Sequence, residues 1–240
     1  MSREWPDVTV LIVTWNRPKV IRRVIQALQE NLHYPGAIRW HLADDTSPGS
    51  YVADIVHDFP ALKFSHTITP KRSGWGINAN TALRAIKTRY VFQIEDDQLA
   101  SRRLDIESGV FVMEHVPTIG LVRYDGIEGH RLMLYMDETP KINGHRVHFL
   151  RIDRYRTKGL NAYSNRPHLK HLRFHETYGM YPEGLNLGST EETFAHHVLH
   201  ARGTPDLAAL PDGIKRAFKH IGESRQLSKE DIGRVVVWGS

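Results

Sequence analysis

The N-terminal part of this sequence alternates short β-branched or apolar runs with amphipathic segments of helical period. That alternation restricts the fold more than any other feature. Val8–Thr14 is almost entirely apolar or β-branched, the composition of a strand buried on both faces. Trp15-Asn16-Arg17-Pro18 ends it, with Pro18 suited to the first turn of a helix. In that helix Val20, Ile21, Val24, Ile25 and Leu28 fall on one face. Tyr34-Pro35-Gly36 breaks the chain before a second strand, Ile38–Ala43, which runs into Asp44-Asp45 and the turn Thr46-Ser47-Pro48-Gly49. A helix over Tyr51–Phe59 and a strand over Leu62–Thr67 follow. The basic, glycine-containing loop Pro70–Gly76 then opens a helix carrying Ile77, Leu83 and Ile86. The strand Tyr90–Ile94 completes a β-α-β-α-β-α-β order, which predicts a parallel sheet with right-handed crossovers.

In open sheets of this kind, ligands gather beyond the carboxyl ends of the strands. The polar groups Thr14–Arg17, Asp44-Asp45 and Glu95-Asp96-Asp97 all fall at such ends. Adjacent acids repel, and burying them unpaired is costly. A hard divalent cation with a preference for oxygen ligands, Mg²⁺ or Mn²⁺, would remove that cost.

The second half is more irregular and richer in β-signals. Arg102–His115 reads as a helix and Ile119–Tyr124 as a strand. Arg131–Glu138 and His145–Ile152 read as an antiparallel pair turned through Pro140 and Asn143-Gly144. Pro167–Tyr178 is expected to be helical, and Pro182-Glu183-Gly184 to turn the chain. A helix over Glu191–Arg202 would be capped by Ser189 or Thr190, and Leu227–Ser240 ends in the strand-like Val235-Val236-Val237-Trp238.

No break is sharp enough to divide the chain, so residues 1–240 are expected to form one domain. Within it, the regular alternation of 1–100 gives way to the more irregular 101–240. With no cysteine, disulfides, thiolate zinc sites and cysteine nucleophiles are excluded. The N-terminus lacks the shape of a signal peptide and no stretch approaches a membrane span; with the missing cysteines, this points to a cytoplasmic protein. The net charge of +5 suits an anionic partner, and from Arg123 to His175 eleven Lys/Arg face five Asp/Glu, placing the excess there.

VTVLIVTWNRP, HLADDTSPGS, GWGINANTALRAIKTRYVFQIEDDQLA and GSTEETFAHHV, in this order and spacing, resemble the family 2 glycosyltransferases. The resemblance implies an α/β, GT-A-type fold: a Rossmann-like, mostly parallel sheet flanked by helices, with a more irregular β-containing acceptor side. It also implies transfer of a sugar from a nucleoside-diphosphate donor (UDP-, GDP- or TDP-sugar) to an acceptor hydroxyl, with 1–100 as the nucleotide-sugar-binding half and 101–240 as the acceptor-side half. By the resemblance Thr14, Asn16 and Arg17 line the nucleotide pocket, Asp44 or Asp45 holds the base or ribose, and Asn78 faces the donor. Glu95-Asp96-Asp97 stands for the family's D-x-D, departing from it in Glu95. Asp97 is the expected ligand of Mn²⁺ or Mg²⁺, and Asp96 is not expected to be one. Arg72 or an arginine of the second half would assist the leaving diphosphate.

An inverting mechanism needs a carboxylate base, which the family places at the start of a second-half helix: here Glu191 or Glu192. Ser189-x-x-Glu192 is also a capping-box pattern, which would occupy Glu192 and free Glu191; alignment with the family's acid pair favours Glu192. Both stay open. His196, His197 or His220 could complete the metal's coordination, as a histidine does in some GT-A enzymes. The pairs at helical spacing, His196 with His200 and His168-His171-His175, are inexpensive coincidences among 15 histidines and a weak case for zinc. The basic run Arg151, Arg154, Arg156, Lys158 around Tyr155 would fit a nucleic-acid acceptor bearing a modified base. The alternatives to a glycosyltransferase are a nucleotidyltransferase and a non-enzymatic nucleic-acid-binding module.

Overall fold

The computed structural model describes residues 4–124, 135–142, 145–153, 162–201, 205–210 and 217–222. Nine strands form one sheet: β1 Val8–Thr14, β2 Ile38–Asp44, β3 Ser65–Ile68, β4 Tyr90–Glu95, β5 Ile119–Arg123, β6 Tyr135–Glu138, β7 Phe149–Ile152, β8 His168–His171 and β9 Asp206–Ala209. Their spatial order is β3-β2-β1-β4-β8-β5-β9-β7-β6. Pairing is parallel from β3 through β4 and between β5 and β9. Only β7 and β8 run against the common direction. Six helices flank the sheet: α1 Pro18–Asn31, α2 Tyr51–Asp58, α3 Trp75–Ala85, α4 Ile106–His115, α5 Arg173–Tyr178 and α6 Leu187–His200. Among the described residues no helix is long and apolar enough to cross a membrane.

The two-residue alternation of a strand distributes β1 between two cores. Val8, Val10 and Ile12 pack with Ile21, Val24, Ile25 and Leu28 of α1, Ile55 of α2 and Val110 of α4. Leu11 and Val13 face the other way, onto Ala79, Ala82 and Leu83 of α3, Phe174 of α5 and Phe194 of α6. Each large apolar side chain so buried contributes about 1.5–3 kcal/mol relative to exposure. The sheet therefore sits between two helical layers, with β1 buried along its whole length.

Several elements differ from the sequence reading, each for a local reason. Residues 60–62 form a 3₁₀ turn ended by Lys63 in the left-handed region (φ 48°), so β3 starts only at Ser65. α4 starts at Ile106 rather than Arg102, because the Asp105 side chain accepts the Ser108 N–H at 2.9 Å and caps it there. α6 starts at Leu187, capped by Asn186, whose Oδ1 accepts from Ser189 N at 2.9 Å. Glu191 and Glu192 thus lie in its second turn, and the capping box on Ser189 does not form.

The largest departure is at 167–178. His168–His171 is a strand, and only Arg173–Tyr178 is helical. A strand reading His-Leu-Lys-His survives at the sheet's centre because its lysine is satisfied. Lys170 Nζ donates to Gln93 Oε1 at 2.7 Å and to the Tyr181 hydroxyl at 2.8 Å, fully buried.

The expected antiparallel pair in the second half is present as β6 with β7, Phe149 opposite Glu138. Residues 131–134, Asn143-Gly144, the run Arg154–Lys158 and the tail Leu227–Ser240 lie outside the described residues.

Candidate functional site

Register alone gathers the acids. Thr14 stands opposite Asp44 across β1 and β2, and Val13 opposite Glu95 across β1 and β4. The ladder runs one step further, with Asp45 N donating to Thr14 O and Asp96 N to Val13 O, each at 3.2 Å. A cleft opens over these strand ends. Thr14, Trp15, Arg17, Asp45, Arg72, Trp75, Asn78, Glu95, Asp96, Asp97 and His220 line it, joined by Leu185 and Leu187 before and at the start of α6.

The carboxylates in this cleft differ in their engagement. Asp96 is held on one oxygen by Thr14 Oγ1 (2.8 Å) and Trp15 N (3.2 Å), and on the other by Arg17 Nη1 (2.7 Å). Burial raises its pKa against the opposing pull of Arg17. Arg17 also pairs with Asp97 Oδ2, while Asp97 Oδ1 is buried with no partner among the described residues. A buried acceptor left unpaired costs about 1–3 kcal/mol, more when charged. His220 Nε2 lies 3.2 Å from Asp97 Oδ2. It arrives there because Phe218–His220 pairs antiparallel with Gln98–Ala100, and Ile221 N donates to Asp97 O at 2.9 Å. Burial pushes the Glu95 carboxyl up to about 8, and the negative neighbours Asp97, Glu191 and Asp96 add to that rise.

Asp44 and Asp45, indistinguishable in the sequence, separate cleanly. Asp44 turns away from the cleft and binds Ser47, accepting from its N–H at 2.8 Å and its hydroxyl at 2.5 Å. Asp45 faces the cleft, where it gathers Ser73 N (2.7 Å), Gly74 N (2.8 Å) and Thr69 Oγ1 (2.8 Å). It thereby folds the basic loop over the opening, and Arg72 lies 3.6 Å above the Trp15 ring. Asn16 does not line the cleft; its N–H donates to Ser47 Oγ at 2.7 Å. Asn78 does line it, with Nδ2 on Ala43 O at 2.8 Å. Asn78 Oδ1 and Trp75 Nε1, both buried, carry no partner among the described residues. With Asp97 Oδ1, that leaves a donor and two acceptors unengaged in one cleft.

A second pocket adjoins the first and shares Glu95, Leu187 and His220 with it. Its other walls are Gln98, Asn165, Arg166, Phe218 and Glu191. Glu191 is held by Ser164 Oγ (2.7 Å) and Asn165 N (2.8 Å), both on Oε1. Glu192 is exposed and outside both pockets.

Residues 9–177 match the family described as Glycosyl transferase family 2. The chain belongs to this family. The nucleotidyltransferase and non-enzymatic readings give way to that assignment. No curated protein sequence matches the chain. Solved glycosyltransferase structures share the fold of this chain. S. aureus TarS aligns with a TM-score of 0.64 at 15% identity, over 90% of this chain and 37% of TarS. TarS 1-349 in complex with UDP-GlcNAc aligns at 0.63 and 18% identity, over 95% of this chain and 64% of that one. The mannosyltransferase PcManGT from Pyrobaculum calidifontis, in complex with GDP-Man and Mn²⁺, aligns at 0.55 and 18%, over 86% and 59%. The chain thus spans less than two thirds of these relatives.

Outside the two pockets, other candidates of the glycosyltransferase do not assemble. Among the described residues no group of three or more His, Asp or Glu is placed to hold a metal ion by itself. His196 and His200 stack on the exposed face of α6, and His168 and His175 are buried in the core. Arg151, the described member of the basic run, is paired with Glu138 and with Asp206 (2.9 Å). Trp15, Trp75, Ser164 and Asn165 were not singled out from the sequence. An aromatic directly after a strand that ends among acids is the signal that could have pointed to Trp15.

Proposed function

We propose that the protein transfers a glycosyl group from a nucleoside-diphosphate sugar to an acceptor hydroxyl, with inversion, using Glu191 as the base. The observation that carries this is the continuity of the two pockets. One holds Asp45 and Asp97, the other Glu191, and Glu95, Leu187 and His220 are common to both. A donor in the first would present its sugar toward the second.

A divalent cation fits the residues present. Asp97 supplies an unengaged buried oxygen and His220 an imidazole nitrogen, so that donor phosphates would complete the set. The imidazole favours Mn²⁺ over Mg²⁺, which prefers oxygen alone. When bound, such an ion stabilises negative charge on the departing diphosphate. That PcManGT was solved with GDP-Man and Mn²⁺, and TarS 1-349 with UDP-GlcNAc, supports the same donor class here.

The chain's own residues supply the rest. Trp15 offers an aromatic face for the base, and Asp45 fixes the loop above it. Arg17 and Arg72 bring positive charge to the diphosphate. The two hydrogen bonds to Glu191 Oε1 orient the carboxylate, leaving Oε2 to take the proton of the attacking hydroxyl. The acceptor oxygen then bonds to the anomeric carbon as that carbon's bond to the diphosphate oxygen breaks.

Calorimetry with UDP-, GDP- and TDP-sugars, with and without Mn²⁺, tests this reading. One nucleotide series should bind more tightly with the metal, and Asp97→Ala should lose the enhancement. Metal-independent binding throughout, or an Asp97→Ala variant that behaves like the parent, would overturn it.

A further inference from the structure

The cleft already contains a cation of its own. Arg17 Nη1 bridges Asp96 Oδ1, at 2.7 Å, and Asp97 Oδ2. The backbone of Arg17 is fixed: its carbonyl accepts from Val20 N (3.1 Å) and Ile21 N (3.0 Å) at the start of α1. Pro18 follows it in the helix's first turn. Movement is therefore left to the side chain. The two acids differ in what they would lose if it moved. Asp96 would keep Thr14 Oγ1 and Trp15 N on its other oxygen. Asp97 has no such second anchor on Oδ1 among the described residues.

We infer that Arg17 is a resident counter-cation that competes with the divalent ion for Asp97 and is released onto the donor's diphosphate when both bind. The inference rests on the reading of Asp97 as a metal ligand. A guanidinium on Oδ2 and a divalent cation on Oδ1 of the same carboxylate stand close enough to repel each other strongly, so each weakens the other's hold on Asp97. A diphosphate offers the displaced guanidinium a bidentate anionic partner, which its planar fork of N–H donors suits. Donor and metal then favour each other's binding by the same factor. Without donor, Arg17 stays in place and the metal binds weakly. The cleft is thereby protected from holding a metal with no substrate.

Mn²⁺ binding to the parent, Arg17→Gln, Arg17→Lys and Asp97→Asn, measured by calorimetry and by the loss of the free-ion paramagnetic resonance signal, tests this without any turnover. Arg17→Gln should bind Mn²⁺ alone about tenfold or more tightly than the parent, the lower end of what close charge pairs couple. Adding the nucleoside diphosphate that the parent prefers should raise the parent's Mn²⁺ affinity more than that of Arg17→Gln. Asp97→Asn should abolish binding in both settings. Arg17→Lys keeps the charge but cannot bridge both acids, so it should fall between parent and Arg17→Gln; it carries the test if Arg17→Gln fails to fold. Equal or weaker Mn²⁺ binding by both Arg17 variants, with metal-dependent nucleotide binding intact, would overturn the role of Arg17 alone. Absence of Mn²⁺ binding in every protein, with and without nucleotide, would overturn the metal reading beneath it.

Discussion

Gly222 lies so close to Asp97 that a β-carbon on it would stand 2.5 Å from the Asp97 Cβ and 2.7 Å from Oδ2. Such distances are not adopted, so either the carboxylate or the backbone must shift. Overpacking of this kind costs about 1–3 kcal/mol. Gly222→Ala is expected to weaken Mn²⁺-dependent nucleotide binding about fivefold or more, the equivalent of the lower end of that cost. Its unfolding temperature should change little, because the residue belongs to neither hydrophobic core. Unchanged binding would show that the segment yields without moving Asp97.

Glu191→Gln keeps the size of the side chain and its acceptor oxygen while removing the base. It is expected to lower kcat by about 10²–10⁴-fold, the usual contribution of general-base catalysis. Glu192→Gln, on the exposed side of the same helix, should stay within about twofold, as surface substitutions usually do. Initial rates at saturating donor separate the two. A large loss in Glu192→Gln with Glu191→Gln near the parent would reverse the assignment.

His41 sits within the sheet between Ser65 Oγ (2.8 Å) and Thr67 Oγ1 (3.2 Å), and burial pushes its pKa from 6.5 down to about 4, with His66 adding to the fall. Between about pH 6.5 and 4 the unfolded chain holds a proton there that the folded chain does not. Stability is therefore present above 6.5 and lost as pH falls through 4. His171, held to about 4 by burial and by Arg173 and Arg89, acts in the same direction. Calorimetric unfolding from pH 7 to 4.5 should show a falling midpoint. His41→Gln should flatten part of that slope, and an identical slope would remove His41 from the account.

The buried amine of Lys170 makes the opposite end of the pH range informative. Burial holds its pKa well below the usual 10.5, so between its folded and unfolded values the unfolded chain binds a proton that the folded chain lacks. Stability should rise as pH increases from 7 toward 9.5. In Lys170→Met that rise should shrink, whatever the variant's midpoint at pH 7. Parallel stability curves for the two proteins would mean that Lys170 is charged in the folded state.

What was readable in the sequence is what short-range pattern controls. The strand runs at Val8 and Tyr90 and the apolar face of α1 follow from periodicity, and the strand-end rule brought Thr14, Asp45 and Asp97 to one place. Asp44 and Asp45 could not be told apart, because the difference lies in Ser47 on one side and the 73–74 loop on the other. His220 could not be ranked among the histidines, since its position depends on a pairing with Gln98 more than a hundred residues away. Lys170 disguised a central strand as a helix: its burial is tolerated only through Gln93 and Tyr181, partners that periodicity does not reveal.

That central strand also governs how the chain can be divided. β4, which delivers Glu95, is paired on one side by β1 and on the other by β8, from residues 168–171. A fragment ending near residue 100 would keep all the strands of the nucleotide side yet leave β4 with a bare, apolar edge, an invitation to pair with another chain. Such a fragment is expected to aggregate rather than bind nucleotide, and a peptide supplying residues 168–171 would be the natural cap. The order of synthesis imposes the same delay, for the strand bearing the acids remains an open edge until residues 168–171 have been made.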